Sequence, residues 1–291
     1  MTRRHWLATV AGAAVAGTVI DGFAIEPERV AVTRHQVGAS GGDPPAKLVQ
    51  LSDLHLRSIG RHEERIAAAV AAIAPDLILF TGDAIDQAGS LHLLERFLAL
   101  LGAGPAKLAI LGNWEHWSGV NLSALAQTYA RANVQLLRNE SVTLTVRGQP
   151  LLVTGLDDLV GGTPDERAAL RGVVPCPNHL LLAHCPMHRD LFRGRVVAPQ
   201  MVPLEATAEE RVDTRLVTPK VMLAGHTHGG QIAPFGWAPF RPRGSGRYVR
   251  GWYRDAPTAL YVSCGLGTSL VHARLNAVPE IAVFEWALAA T

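Results

Sequence analysis

Five short apolar runs, at 47–51, 77–80, 107–111, 179–183 and 221–223, each stop at residues able to ligate a metal. The stops are Asp53 with His55, Asp83, Asn113, His184, and His226 with His228. Apolar runs of this length, bounded by glycine and other turn residues, read as buried strands. Helical patterns lie between the first three. The segment 62–74 places Ile66, Val70 and Ile73 on one face and Glu63 and Glu64 in its first turn. The segments 91–101 and 122–132 read the same way. Strand–helix alternation predicts parallel strands with helical crossovers. Ligands at successive strand ends then converge on one rim of the sheet. This repeated pattern constrains the chain to an α/β fold with a polar site at one edge.

Beyond residue 140 the period changes. Val142–Val146 and Leu151–Thr154, separated by Gly148 and Gln149, predict a hairpin. A short helix is expected at 165–171, strands of a second sheet at 247–253 and 259–263, and a last strand at 280–285. A first strand is predicted within 28–37, joined to the rest by the Gly/Pro-rich turn 39–45. The segment 193–219, between His184 and His226, has no clear period and is expected to form a substrate-shaping flap.

His226 and His228 lie in Ala224-Gly225-His226-Thr227-His228-Gly229-Gly230. On a glycine-flanked loop both imidazoles are free of strand geometry and can serve adjacent metal ions. Twelve histidines beside few cysteines point to imidazole and carboxylate ligation, which suits Mn, Fe or Zn. The three cysteines, Cys176, Cys185 and Cys264, are too widely spaced for a zinc knuckle and allow at most one bridge. Cys185 reads as a buried thiol rather than a ligand. A net charge of +2 without a polybasic block does not favour nucleic acid as a partner.

The first residues read as a targeting segment. Arg3 and Arg4 precede a mildly apolar stretch from Leu7 to Ile20, shorter than the ~20 apolar residues of a membrane span. Residues 1–24 are therefore expected to be an export signal of the twin-arginine type or an uncleaved N-terminal anchor. Residues 25–45 form a lead-in strand and connector, and 46–291 the main domain. The expected location is outside the cytoplasm, exported or anchored in the membrane facing outward.

The ordered series Asp53-x-His55, Gly82-Asp83, Gly112-Asn113, His184 and His226-x-His228 resembles the calcineurin-like metallophosphoesterase superfamily over roughly 46–286. The Ser52-Asp53-Leu54-His55 segment, the His226 loop and Pro279-Glu280-Ile281 are most similar to its bacterial exported or membrane-associated branch, which is similar to UDP-2,3-diacylglucosamine hydrolase and related phosphodiesterases. The resemblance implies a four-layer sandwich, two central mixed sheets flanked by helices. It implies two divalent ions, one held by Asp53, His55 and His228, the other by Asn113, His184 and His226, with Asp83 bridging. It also implies hydrolysis of a phosphoester, most readily a phosphodiester or pyrophosphate, by a hydroxide shared between the ions. The alternatives are a phosphomonoesterase and a non-catalytic metal-binding scaffold of the same fold. An extracytoplasmic address makes a cell-envelope phosphodiester or a lipid headgroup the expected substrate, with peripheral or anchored membrane association.

The family pattern departs in one place. After Gly-Asn it continues with a His that assists the leaving group, and here that position is Trp114, followed by Glu115. His116 is the candidate replacement acid; the alternative is a surface or supporting role. Trp114 and Trp117 form either an apolar wall for a lipid or base, or ordinary packing.

Overall fold

The computed structural model describes residues 5, 6, 9, 16–38, 44–193 and 217–290. Its described strands form two six-stranded mixed sheets. The first runs in the order β1 (Ala31–Val37), β12 (Glu280–Trp286), β2 (Ala46–Leu51), β3 (Leu77–Thr81), β4 (Ala106–Ile110) and β5 (Val134–Leu136). The second runs β10 (Gly251–Tyr253), β11 (Ala259–Val262), β9 (Val221–Ala224), β8 (His179–Leu182), β7 (Gln149–Gly155) and β6 (Glu140–Val146). Strands β2 to β5 are mutually parallel, as are β7, β8, β9 and β11. Helices α1 (Arg61–Ile73), α2 (Leu91–Leu100), α3 (Asn113–Trp117) and α4 (Leu122–Arg131) follow β2, β3 and β4.

The apolar runs are continuous because these strands are buried on both faces. Val49, Leu51, Ile78, Phe80 and Ala109 meet Ile66 and Val70 of α1, Leu94 and Phe97 of α2, and Leu125 and Tyr129 of α4. On the opposite face Leu48, Leu79, Leu108 and Ile110 meet Leu151, Val153, Leu180, Leu182, Val221 and Leu223 of the second sheet. Burying a large apolar side chain contributes about 1.5–3 kcal/mol, whereas the whole strand-propensity scale spans about 1 kcal/mol. Burial, not propensity, therefore sets these strands. The outer face of the second sheet packs Leu181, Met222, Leu260 and Val262 against Leu156, Ala169 and Tyr248. Among the described residues this flank carries only the one-turn helices α5 (Glu166–Ala169) and α6 (His188–Leu191). Among the described residues the fourth layer is thus thinner than the first. The β6–β7 hairpin turns through Arg147 and Gly148, both at positive φ (49° and 78°), as a two-residue hairpin loop requires.

Two differences from the sequence reading follow from contacts between distant residues. Strand β1 is not a separate lead-in: it pairs in parallel with β12 along its whole length, and β12 pairs antiparallel with β2. The strand expected at 247–253 shortens to Gly251–Tyr253, because a turn from Ser245 to Tyr248 (N–H to O 3.1 Å) buries the Tyr248 ring beneath the second sheet. Cys176, Cys185 and Cys264 are all free thiols.

The segment 16–20 is helical and continues as a wider turn over Asp21–Ile25 and a 3₁₀ turn over Glu26–Glu28. Arg3, Arg4 and most of the apolar leader lie outside the described residues, as does 194–216 of the expected flap. Among the described residues, no helix is long and apolar enough to cross a membrane.

Candidate metal centre

The C-terminal ends of five parallel strands meet where the two sheets adjoin. Asp53 and His55 follow β2, Asp83 follows β3, Asn113 begins α3 after β4, His184 follows β8, and His226 and His228 follow β9. Gln50, fully buried, ties the sheets together just beneath: its amide donates to Thr81 Oγ1 and to the Ala224 carbonyl, each at 2.9 Å. Five of these seven residues leave their strands in the left-handed region: Asp53, His55, Asp83, His226 and His228 have φ of 52°, 44°, 55°, 74° and 50°. That conformation costs a residue with a side chain about 1–2 kcal/mol. It persists where surrounding contacts over-determine it, and such positions cluster at functional sites. The β9 turn needs Gly225 for a different reason: a Cβ there would collide with Ser52 Oγ and Asp53 Oδ2.

Two groups of ligand atoms result, Asp53–His55–His228 and Asp83–His184–His226, each with its atoms within 4.8 Å of one another. In the first, the Nε2 atoms of His55 and His228 face each other at 3.1 Å, and His228 Nε2 lies 3.5 Å from Asp53 Oδ1. In the second, His184 Nε2 lies 3.1 Å from Asp83 Oδ2, and His226 Nδ1 lies 2.9 Å from Asn113 Oδ1. Asp83 Oδ2 is also 3.7 Å from His55 Nε2, so one carboxylate oxygen stands between the groups.

The hydrogen bonds behind the rings decide which nitrogens are bare. His184 Nδ1 donates to the Thr81 carbonyl at 2.7 Å, which makes Nε2 the nitrogen turned to Asp83, with a proton between them that an ion would displace. His226 Nε2 donates to the Arg243 carbonyl at 2.7 Å, which leaves Nδ1 a lone pair aimed at the Asn113 oxygen. His226 Nδ1 and Asn113 Oδ1 are then acceptor against acceptor, which repels at such a distance unless a cation lies between. Atoms bound to one ion at about 2.0–2.2 Å stand about 3–3.5 Å apart, so the donor set fits a divalent cation in each group.

Burial pushes His55, His226 and His228 below the ordinary imidazole value, His228 to about 3, and so keeps them in the neutral, ligating form. His184 differs. Burial opposes its charge, but the Asp83 carboxylate outweighs this and holds the ring well above its usual value. In the same way burial raises Asp83, and His184 and His55 outweigh it, so the carboxyl sits far below the usual range.

Glu115 escaped sequence reasoning as a supporting residue. Its buried carboxylate accepts the backbone N–H groups of Asp83 (3.0 Å), Ala84 (2.6 Å) and Gly112 (2.7 Å) and so clamps the β3 and β4 ends together. Burial and the neighbouring Asp83 push its carboxyl up to about 7. The available signal was Gly112 three residues before Glu115, the spacing of a helix-start capping pair. Trp114 donates its N–H to Asp83 Oδ1 at 2.9 Å and sets its ring edge-on to His55 and to Trp117, at 6.0 and 5.8 Å.

A cavity of about 400 Å³ opens over the cluster, walled by Trp114, Trp117, Ile232, Phe240 and Leu270, with Arg241 and Arg243 at its side. His116 is not among the residues lining it. Its Nε2 lies 2.7 Å from Asp157 Oδ1, and Asp157 also accepts from Arg138 Nε (2.9 Å) and the Thr163 N–H (3.1 Å). Of the two roles left open for His116, this favours the supporting one: a part-buried pair with Asp157 turns the ring toward the 157–163 loop. The Cys185 thiol donates to Asp158 Oδ1 at 3.2 Å and is pushed up by burial, which removes it as a ligand.

Comparison with known proteins agrees with this geometry. The family model described as calcineurin-like phosphoesterase matches residues 46–230. The metallophosphoesterase YkuE of Bacillus subtilis is 30% identical, over 98% of this chain and 97% of its own length. Phosphodiesterase YaeI of Escherichia coli is 27% identical over 89% of each chain. A metallophosphoesterase of Aquifex aeolicus is 28% identical over 81% of this chain and 83% of its own. With more than half of its length under the family model and a relative matched almost end to end, the chain belongs to the calcineurin-like phosphoesterases.

Proposed function

We propose that this protein hydrolyses a phosphodiester or pyrophosphate at a pair of divalent ions, outside the cytoplasm. Asp53, His55 and His228 would hold one ion, Asn113, His184 and His226 the other, with Asp83 touching both. The observation that carries the reading is the pair of facing ligand groups with Asp83 Oδ2 between them, 3.1 Å from His184 and 3.7 Å from His55. Bound there, Mn, Fe or Zn ions supply Lewis-acid polarisation of a phosphoryl oxygen and acidify water.

The chain's own residues do the rest. Asp83 and Asp53 are oriented by the backbone N–H groups of Trp114 and His226. Trp114 and Trp117 shield one side of the cluster from water, and Arg241 and Arg243 favour an anionic substrate at the mouth. Among the described residues, and apart from the proposed ligands, the cavity lining holds no His, Glu, Asp or Lys to protonate a leaving group. Trp114 stands where the family pattern has the His that assists the leaving group, and general acid catalysis contributes about 10²–10⁴ in rate, so this replacement favours esters with good leaving groups. The name of the Escherichia coli relative points to diesters as well. Export rests on the paired Arg3 and Arg4 ahead of the apolar stretch.

The test pairs elemental analysis with turnover of bis(p-nitrophenyl) phosphate and p-nitrophenyl phosphate. About two transition-metal ions per chain and faster diester cleavage are expected. Faster monoester cleavage would make the protein a phosphomonoesterase. Two ions without turnover of either ester would make it a scaffold.

A further inference from the structure

Two loops border the cavity mouth, and both expose large apolar side chains. Segment 231–251 carries Phe235, Trp237 and Phe240, and segment 266–277 carries Leu270 and Val271. Phe235 is fully exposed, Phe240 is 84% exposed, Leu270 81% and Trp237 69%. Phe235 and Leu270 also occupy the left-handed region, at φ of 54° and 60°, where bulky residues are disfavoured. Strain combined with exposure brings the folded chain no return in burial. Isolated exposed apolar residues are ordinary, but a group of them on adjoining loop tips around a cavity marks an interaction surface.

The charge around these tips is of one sign. Segment 231–251 contains Arg241, Arg243, Arg247 and Arg250 and no acidic residue; segment 266–277 also has no acidic residue, and its Arg274 is fully buried, so the surface charge comes from the first loop. Among the described residues Arg247 is paired with Asp255, while Arg241 bonds only the Gly246 carbonyl and stays available to an anion. The N-terminal segment leaves the domain at the same place. The Arg274 N–H donates to the Gly22 carbonyl at 2.8 Å, and the Glu26 carboxylate accepts from the Asn276 (2.9 Å) and Ala277 N–H groups. Arg250 reaches the Asn276 carbonyl, which joins this anchor point to the Phe235 loop. Ahead of it, Val19, Ile20, Phe23 and Ile25 are exposed. Aromatic and aliphatic tips beside unpaired arginines match the two components of a membrane interface, acyl boundary and anionic headgroups.

We propose that the 231–251 and 266–277 loop tips and the adjoining N-terminal helix form one docking face that lays the cavity mouth on an anionic lipid bilayer. If the phosphodiesterase reading holds, the substrate is then a phosphodiester presented by that surface. The docking itself does not depend on turnover.

The test uses the full chain with vesicles of phosphatidylglycerol and phosphatidylcholine, or of phosphatidylcholine alone, some with brominated acyl chains. Binding should favour the anionic vesicles, weaken with salt, and quench Trp237, identified as the component lost in Trp237→Phe. The double variant Phe235→Asn/Trp237→Ser should bind at least about tenfold more weakly. It should keep its turnover of a soluble diester, since neither side chain lines the cavity. Sedimentation with vesicles but no quenching of Trp237 would mean that the N-terminal segment alone binds lipid, and would overturn the proposal. So would a concentration-dependent dimer that the double variant abolishes, with no vesicle binding, because the face would then belong to a second copy. Vesicle binding with Trp237 quenched but no diester turnover would support the docking face and count against the phosphodiesterase reading.

Discussion

The two halves of the metal centre use the same residue types and are held in different ways. In the half containing His184 and His226, each ring gives one N–H to a backbone carbonyl, of Thr81 and Arg243, and turns its other nitrogen inward. In the half containing His55 and His228, the Nε2 atoms face each other at 3.1 Å, and both Nδ1 atoms are buried without a hydrogen-bond partner. Backbone organises the first half before any ion arrives. In the second, the His226 N–H holds Asp53, but among the described residues no hydrogen bond behind the rings orients His55 or His228. Hydrogen bonds behind a ligating imidazole are worth about 10–100-fold in metal affinity, so the halves should bind unequally.

The largest effect belongs to the residue that both halves share. Asp83→Asn should lower diester turnover by about 10³-fold or more, since metal assistance amounts to several kcal/mol of barrier. Its metal content should fall below that of the parent in both halves. Loss of a single ion would show that Asp83 serves one half alone.

Next in size is the difference in affinity. Calorimetric titration of the metal-free protein should resolve two steps separated by about 10–100-fold. His184→Ala should remove the tight step and His55→Ala the weak one. Two equal steps in the parent would break the comparison outright.

Protons sharpen it further. Because Asp83 outweighs burial and holds His184 above its ordinary value, that ring is protonated near neutral pH in the metal-free protein. An ion entering there displaces the proton, so its affinity should rise with pH until the raised value is passed. His55 and His228 lie below their ordinary value through burial and have no proton to lose near neutrality. Titrations in buffers of different ionisation enthalpy should show proton release in the tight step only. Release in both steps would contradict the assignment of His184.

The smallest effect lies outside the cluster. His116 is raised by its hydrogen bond to Asp157, against burial, and Asp157 is held low chiefly by His116 against the penalty of its own burial. A raised histidine contributes stability that is complete below its unfolded value, 6.5, and is lost as pH climbs through the folded value. The depressed Asp157 contributes above the carboxylate range and loses that as pH falls. His116→Gln should thus cost about 1 kcal/mol in mildly acidic denaturant melts and less at alkaline pH. Diester turnover should stay near that of the parent. A loss confined to poor leaving groups would restore His116 as an acid.

Much of the centre was legible along the chain. Apolar runs buried on both faces leave an unbroken signature, and a ligand residue directly after each run needs no distant information to be seen. Glu115 was harder, because its worth lies in the Asp83 and Ala84 N–H groups some thirty residues back. Gln50 looked like one polar residue in a strand; only the approach of β9 shows it joining the sheets. The role of His116 turned on Asp157, 41 residues away. Strand β1 was legible as a strand, but not its place in the first sheet, because its partner lies at the other end of the chain.

The sequence by itself determined the α/β class, the order of the ligand residues and the substitution of Trp114 at the family His position, because period, spacing and residue type are local properties. The tertiary structure alone decided which nitrogen of each imidazole is bare, which way His116 faces, and that the exposed tips of two loops share one side with the N-terminal segment. Each of those depends on a contact between residues far apart in the chain, such as His226 with the Arg243 carbonyl or Gly22 with Arg274. Such contacts are set when the sheets pack together, and no local pattern encodes them.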